Sequence, residues 1–220
     1  MHDHTAKSLC LHIGCGLVVG PSWLNLDASS SLRLVQLPLV GRWLQQRLKL
    51  PPWPPEVRYG NIVTGLAIAP NSCELVYASH VLEHLSRQDF DRALKNILSY
   101  LKPGGTLRVV VPDLEDLAQK YLADLQNPIT APQAAETLMT DSFLGHSGSR
   151  TTVRQRLKEA LANHRHQWMW DRVALPWAFE QAGLDAVQVC SYGDWPDERF
   201  AEVEHPDNFQ GAIAVQGMKP

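Results

Sequence analysis

The chain has 220 residues, of which 45% are hydrophobic and 20% charged, a composition typical of one globular domain with an ordinary core. A formal net charge of −3 gives no general attraction to phosphate polymers, so we expect no nucleic-acid partner. The sequence shows no signal-like start and no apolar run near the ~18 residues that span a bilayer. Its four cysteines form no C-x-x-C pair, and together these features predict a cytoplasmic protein without a transmembrane segment.

Apolar runs between glycine and proline breaks predict seven strands along the chain. These strands lie at residues 8–13, 23–27, 57–63, 74–79, 106–112, 186–192 and 211–219. Amphipathic spacing predicts helices at residues 41–50, 86–101, 113–125, 131–140, 152–162 and 171–181. Because strand and helix alternate as far as about Leu125, we expect a single α/β domain over residues 1–220 with a mostly parallel sheet.

Local signals refine two of these elements. About nine residues separate the first two strands, which is too few for a full crossover helix, so we expect an extended connection there. Ser86 and Asp89 have the spacing of a capping box at the start of the clearest helix, and Pro103 follows its end.

Two segments are predicted to cover the site rather than to build the sheet. Residues 29–56 are an insertion or lid between the second and third strands, with four cations and no acid before Glu56. Contact of residues 31–50 with an anionic membrane surface is the weaker alternative. Residues 127–170 are expected to form a helical region on the substrate side, where the stretch HRHQWMW contains His166.

Polar and glycine residues follow the predicted strands at the points where the strands end. The turn Gly14–Gly16 follows the first strand, Asp27 ends the second, and residues 79–84 follow the fourth. Glycine lets a backbone approach a ligand closely, and an acid at this place accepts hydrogen bonds from a ribose diol. The spacing in GCGLVVG does not fit the dinucleotide fingerprint and leaves no room for a phosphate-binding helix, which favours S-adenosylmethionine.

At these residues the sequence resembles the class I S-adenosylmethionine-dependent methyltransferases of the methyltransferase type 11 kind. The similar stretches are LHIGCG, WLNLDAS, ELVYASHVLEHL with the following LKPGGTLRVVVPDL, and HQWMWDRVALPWAFEQAGLDAVQV. The resemblance covers nearly the whole chain. It implies a Rossmann-like fold with a mostly parallel seven-stranded sheet, a closing antiparallel strand, and a first crossover helix that is shortened or absent.

The resemblance also implies S-adenosyl-L-methionine as the cofactor and assigns its contacts. The glycine turn would line the methionine part, Asp27 the ribose, and residues 60–62 the adenine. The implied cofactor-binding residues are His12, Gly14, Cys15, Gly16, Asp27, Gly60, Asn61, Ile62 and Ser79. His12 departs from the acid or amide often found there, and Asn61 departs from the usual aspartate.

The stretch SHVLEHL allows more than one interpretation. His80-x-x-Glu83-His84 has the spacing of a zinc peptidase motif, which requires a continuous helix. It also resembles the Glu-x-x-Glu-His loop of small-RNA 2′-O-methyltransferases and ubiquinone-pathway O-methyltransferases, which bind a divalent ion. In the third interpretation Glu83 and His84 only cap and brace the following helix, and we predict no metal ligand.

The predicted function is methyl transfer from S-adenosylmethionine to a small-molecule acceptor. A base is needed only for a hydroxyl or a protonated amine, and the predicted catalytic residues are His80 or His84 first and His166 second. Two alternatives remain open at this stage. One is an inactive subunit that binds the cofactor and serves a partner, and the other is a metal-dependent hydrolase that uses His80, Glu83 and His84.

Overall fold

Seven strands form one sheet in the computed structural model, which describes residues 9–145 and 165–220. In chain order they are β1 Leu9–Ile13, β2 Trp23–Asp27, β3 Arg58–Tyr59, β4 Cys73–Ser79, β5 Leu101–Pro112, β6 Asp185–Cys190 and β7 Ala212–Met218. The sheet order is β3-β2-β1-β4-β5-β7-β6, and β7 alone runs antiparallel to its neighbours in it. The predicted parallel sheet with a closing antiparallel strand is therefore confirmed.

Six helices are seen in the described ranges, of which the third and the last pack on the sheet. They are α1 Ser30–Val35, α2 Gly41–Leu48, α3 Arg87–Tyr100, α4 Leu114–Gln126, α5 Ala134–Asp141 and α6 Ala174–Gln181. Short 3-10 turns occupy Leu82–His84, Ala131–Gln133, Glu198–Glu202 and Pro206–Phe209. The helix predicted at residues 152–162 lies outside the described residues. Nothing among these helices is long and apolar enough to pass through a bilayer.

The central strands are buried on both faces, as their near-continuous apolar sequences require. One face packs on Phe90 and Ile97 of α3 and on Phe179 of α6. The other face holds Tyr77 of β4 among a second cluster that includes Phe200, with ring centroids 6.1 Å apart. Burial of each such side chain contributes about 1.5–3 kcal/mol, so these two layers fix the strands that carry the site.

The sequence predicted the start of α3 and the first connection. Ser86 caps the helix by accepting a hydrogen bond from the Asp89 N–H at 3.2 Å. Residues 14–22, between β1 and β2, form turns without a helix, and the Cys15 N–H donates to the Leu26 carbonyl at 3.1 Å.

Two strands differ from their predicted bounds. β3 has two residues instead of seven, because Asn61 turns the chain by accepting the Val63 N–H at 2.9 Å. β5 begins at Leu101, directly after α3, rather than at Thr106. The Gly104 N–H donates to the Lys219 carbonyl at 2.8 Å, so the end of the chain continues the sheet over this stretch.

Candidate active site

A cavity of about 520 Å³, which we call the strand-end cavity, opens at the carboxyl ends of β1, β2 and β4. Parallel strands end at the same edge, so residues far apart in sequence meet there. Of the residues predicted to bind the cofactor, this cavity is lined by Gly14, Asp27, Gly60, Asn61 and Ile62. The predicted catalytic residues His80 and His84 also contribute to its lining.

Gly14 lines the strand-end cavity, and both its backbone conformation and the space around its Cα require glycine. Its φ is +63°, in the left-handed region, and a Cβ there would lie 2.1 Å from Cγ2 of Val81. A side chain would therefore fill the cradle between the turn and the loop after β4. Gly16 also has a positive φ, +55°, but a Cβ on it would meet no described atom within 4 Å.

Asp27 holds the glycine turn in place while it faces the cavity. Its Oδ2 accepts the Gly16 N–H at 3.0 Å, and its Oδ1 accepts the Ser29 N–H at 2.7 Å. Each carboxylate oxygen has two acceptor positions, so both oxygens keep one for a ligand. The Asp27 side chain thus stabilises the glycine turn, in addition to the ribose binding that the resemblance implies.

The turn after β3 forms the other wall of the strand-end cavity. The Asn61 Oδ1, expected to face an adenine, already accepts the Val63 N–H at 2.9 Å and has one acceptor position left. The Ile62 carbonyl accepts from Nδ2 of Asn96 at 2.7 Å, which ties this turn to α3. A Cβ on Gly60 would lie 3.0 Å from side-chain methyl groups of Leu26 and Leu66, so the turn is tightly packed at this residue.

His12 lies away from the cavity on the opposite face of the sheet. Its Nδ1 is 3.3 Å from the Asn25 Oδ1, and its ring centroid is 5.4 Å from that of Tyr77. Burial lowers the pKa of His12 to about 4, although Asn25 and Asp27 oppose the shift. His12 is therefore in a packing position and does not line the strand-end cavity.

Cys15 and Ser79, also predicted to bind the cofactor, contribute no side chain to the strand-end cavity lining. Cys15 packs with Leu32 and Val57, and burial raises the pKa of its thiol to about 12. The Ser79 Oγ is buried, and it has no hydrogen-bond partner within residues 9–145 and 165–220. Each residue is adjacent in sequence to a lining residue, Cys15 to Gly14 and Ser79 to His80.

A second cavity of about 480 Å³, which we call the histidine cavity, adjoins the first. His80 and His84 line both cavities, and His166 lines the second. All three predicted catalytic histidines therefore come together. The remaining lining residues come mostly from α4, α5 and the segments after β5 and before β7: Glu83, Pro112, Asp116, Leu117, Lys120, Asp141, Phe143, Gln210 and Gly211.

The histidines surround the carboxylate of Glu83, which is fully buried. Its Oε1 lies 3.4 Å from Nδ1 of His80 and 3.9 Å from Nε2 of His166. Both are ion-pair distances without hydrogen-bond geometry, and within the described chain neither carboxylate oxygen has a hydrogen-bond partner. The rings of His84 and His166 lie 4.9 Å apart.

Hydrogen bonds fix which ring nitrogen of His80 and of His84 carries a proton, and burial affects the pKa of His80 and His166. His80, with φ +53°, uses its Nε2–H to donate to the Asn208 carbonyl at 2.9 Å. Burial lowers the pKa of His80, but Glu83 and that carbonyl outweigh it, and the net shift is upward. The Nδ1–H of His84 donates to the Arg165 carbonyl at 3.0 Å, whereas burial lowers the pKa of His166.

Comparison with known proteins decides the family. Two family models, each described as a methyltransferase domain, match residues 67–189 and residues 11–109. The first of these spans more than half of the chain. The chain belongs to the class I S-adenosylmethionine-dependent methyltransferases. It is therefore an enzyme of this class, with S-adenosyl-L-methionine as its cofactor.

Solved structures resemble this methyltransferase in fold. A Haloferax volcanii protein solved in complex with the Trm112 methyltransferase activator is 17% identical, with a TM-score of 0.50 over 97% of this chain and 82% of that chain. A Thermotoga maritima protein described as an S-adenosylmethionine-dependent methyltransferase is 15% identical, with a TM-score of 0.49 over 96% and 82% of the two chains. No curated protein matches the chain significantly.

The loop after β4 of this methyltransferase does not have the geometry of a zinc peptidase. That motif needs both histidines on one continuous helix. Here His80 follows a strand, only the 3-10 turn Leu82–His84 comes next, and α3 begins at Arg87. The two imidazoles therefore do not project from one helix, and the hydrolase hypothesis loses its structural basis.

Proposed function

We propose that this methyltransferase methylates a small-molecule acceptor bound in the histidine cavity. The observation that carries this proposal is that the histidine cavity and the strand-end cavity meet at His80 and His84. A volume of about 480 Å³ fits a small-molecule site, for which roughly 300–1,000 Å³ is usual. Cofactor and acceptor would thus approach each other across these two imidazoles.

The strand-end cavity fits the cofactor. The cradle above Gly14, which a Cβ would fill, would give the methionine part a close backbone approach. Asp27 would accept the ribose hydroxyls, and residues 60–62 would flank the adenine. Ser79 ends β4, and His80 follows it at the junction of the cavities, which supports the predicted place of His80 beside the sulfonium.

The lining of the histidine cavity suggests an acceptor with both polar and apolar parts. Lys120 and Asp141 form an ion pair at 2.5 Å on one wall, and Asp116 adds a second carboxylate. Phe143 lies 5.2 Å from the His166 ring and supplies an apolar surface with Leu117. A compact molecule that carries hydroxyl or amine groups would satisfy both kinds of surface.

The bound cofactor supplies a methyl group that is already activated on a sulfonium. The protein's own contribution is to hold the acceptor close and in line, and to take a proton where the acceptor carries one. His80 has one nitrogen bonded to Asn208 and the other against Glu83. His84 and His166 are therefore the better proton acceptors. The Nδ1–H of His84 donates to the Arg165 carbonyl, so its Nε2 keeps a lone pair, and burial lowers the pKa of His166, which favours its neutral form.

Two segments are assigned to the rim of the site under this proposal. Residues 29–56 act as a lid, since Ser29 and Ser30 line the strand-end cavity and Trp43 of α2 is largely exposed. The described residues of the segment 127–170 are assigned to the acceptor side, since Asp141 and His166 line the histidine cavity. The unpaired state of all four cysteines supports a cytoplasmic location.

A labelling experiment tests the acceptor class. The purified enzyme would be incubated with methyl-tritiated S-adenosylmethionine and a cell extract, which is then separated into small molecules, protein and RNA. We expect label in the small-molecule fraction, and a loss of roughly 10²-fold or more in His84→Ala, as for a general base. Asp27→Ala serves as the background control. Label confined to protein or RNA would overturn the small-molecule assignment.

A further inference from the structure

The buried Glu83 carboxylate has imidazoles as its ion-pair partners among the described residues, at 3.4 Å from His80 and 3.9 Å from His166. Its side chain is 1% exposed, and neither oxygen accepts a hydrogen bond from a described residue. Burial of a carboxylate is unfavourable unless it is hydrogen-bonded, paired or bound to a metal. Imidazoles, which are neutral or cationic, occupy the space around it instead of N–H donors from the backbone.

Three metal-ligating side chains converge at this carboxylate. One ligand atom each from Glu83, His84 and His166 lies within 4.8 Å of the others. His166 is also nearly buried, with 7% of its side chain exposed, and its Nδ1 has no hydrogen-bond partner in residues 9–145 or 165–220. The Nδ1–H of His84 is held by the Arg165 carbonyl, which orients the other nitrogen as metal ligands usually require.

We propose that Glu83, His84 and His166 bind one divalent first-row transition cation, such as Zn²⁺, Mn²⁺ or Co²⁺, in the histidine cavity. Two imidazoles and one carboxylate suit these cations better than Mg²⁺ or Ca²⁺, which prefer oxygen ligands. Bonds of ~2.1 Å place ligand atoms ~3.0–3.5 Å apart, so the 3.9 Å between Glu83 Oε1 and His166 Nε2 closes with small side-chain rotations.

Hydrogen bonds to backbone carbonyls hold the turn that contains Glu83 and His84 against the segment that contains His166. Both the Gln167 and the Trp168 N–H donate to the Glu83 carbonyl, at 2.7 and 3.2 Å. Nε2 of Gln167 donates to the His84 carbonyl at 2.7 Å. These bonds bring His166 beside the 3-10 turn, so His166 replaces His80 in the ligand set that the sequence had suggested. His80 instead orients Glu83 from 3.4 Å.

This inference deepens the proposed function and rests on the acceptor cavity described above. Three protein ligands leave coordination positions for an acceptor oxygen from the cavity side. A cation held by Glu83, His84 and His166 would lower the pKa of an acceptor hydroxyl, whose proton would go to water, and the acceptor oxygen would bond to the methyl carbon as the sulfur–methyl bond breaks. In the metal-bound enzyme His84 and His166 would be ligands instead of proton acceptors, and the acceptor class would narrow to hydroxyl compounds.

Cobalt titration tests the site directly. Untagged enzyme would be freed of bound metal with a chelator. All variants would carry His2→Ala and His4→Ala, so that these two histidines near the start of the chain cannot bind the cation. We expect one equivalent of Co²⁺ by calorimetry, with visible absorption from nitrogen ligation. Glu83→Gln and His166→Ala should weaken binding at least ten-fold. The matched control His205→Ala, which removes an exposed imidazole near Asp207, should bind like the parent protein.

The inference is overturned if the parent protein binds no Co²⁺, or if Glu83→Gln and His166→Ala bind it as tightly as the control. Folding is checked by circular dichroism, and His166→Ala decides the matter if Glu83→Gln does not fold. A melting scan adds a second readout, since Co²⁺ should raise the melting temperature of the parent protein but not that of Glu83→Gln.

S-adenosylhomocysteine titration separates this inference from the proposed function. We expect Glu83→Gln and His166→Ala to bind S-adenosylhomocysteine within about three-fold of the parent, because Asp27 and Gly14 remain intact. Loss of cobalt with retained S-adenosylhomocysteine supports the metal site. A parent protein that binds cobalt but not S-adenosylhomocysteine would contradict the proposed function and leave the metal site standing.

Discussion

Replacement of Asp27 should affect cofactor affinity and stability together, because this carboxylate has two duties. It faces the strand-end cavity, and it accepts the N–H groups of Gly16 and Ser29 at 3.0 and 2.7 Å. Asp27→Ala removes all of these acceptors. Asp27→Asn keeps the shape and one acceptor oxygen but turns an NH₂ group toward one of the two backbone donors.

The magnitudes follow from the hydrogen bonds that are lost. A hydrogen bond to a charged group contributes about 1.5–3 kcal/mol, so loss of the ribose contact should weaken binding roughly ten- to hundred-fold. The two backbone N–H groups lose their acceptor as well, at about 1–3 kcal/mol each when buried. Because solvent partly reaches this turn, we expect the unfolding free energy of Asp27→Ala to fall by roughly 2–4 kcal/mol, with a smaller fall in Asp27→Asn.

Calorimetric titration with S-adenosylhomocysteine gives the affinities, and urea unfolding gives the stabilities. Glu180→Ala, which removes an exposed carboxylate on α6, is the matched control and should change neither quantity. A folded Asp27→Ala protein with unchanged affinity would refute the placement of the ribose. Unchanged stability would refute the second duty, in which the carboxylate holds the glycine turn.

Three further predictions concern packing and charge. Gly14→Ala places a Cβ 2.1 Å from Val81 Cγ2 at a φ of +63°, so it should lower the melting temperature and abolish measurable cofactor binding. Acid should destabilise the protein through His12. The pKa of this imidazole is about 4 in the folded protein and 6.5 in the unfolded chain, so the unfolded chain binds the proton at the higher pH. The unfolding free energy should therefore fall by roughly 3 kcal/mol as the pH drops from 6.5 to 4. Arg108→Met leaves the fully buried Glu204 carboxylate, now 2.5 Å from the guanidinium, without that partner, at a cost of about 3–5 kcal/mol.

Each of these predictions has its own control. Gly16→Ala, where a Cβ meets no described atom within 4 Å, should be milder than Gly14→Ala, and equal effects would count against the cradle. In His12→Gln the stability loss between pH 6.5 and 4 should shrink, and an unchanged loss would assign it to other groups. Arg108→Met combined with Glu204→Gln should recover part of the stability, measured by urea unfolding, and no recovery would argue against an unpaired charge as the cause.

Most of the strands, the turn at Gly14–Gly16 and α3 could be predicted because their signals are local. Apolar runs, the Ser86 cap and the glycine turn act over a few residues. The face on which His12 packs could have been predicted from strand alternation, since it shares a face with Cys10 while Leu11 and Ile13 face the other way. The resemblance set this alternation aside and assigned His12 to the cofactor.

The acceptor side could not be predicted in the same way. His166 meets Glu83 because two backbone N–H groups after it donate to the Glu83 carbonyl, and no spacing in the sequence signals that contact. Lys120 and Asp141 likewise meet only because α4 packs on α5. The short β3 escaped prediction because the Asn61 side chain ends a run of strand-forming residues.

The placement of the cofactor at the strand ends is most directly tested by a crystal structure with S-adenosylhomocysteine. The ribose hydroxyls should donate to Asp27, the adenine should lie against residues 60–62, and the sulfur should lie at the junction of the two cavities beside His80. A cofactor bound elsewhere, or bound with its sulfur turned away from the histidine cavity, would contradict the account.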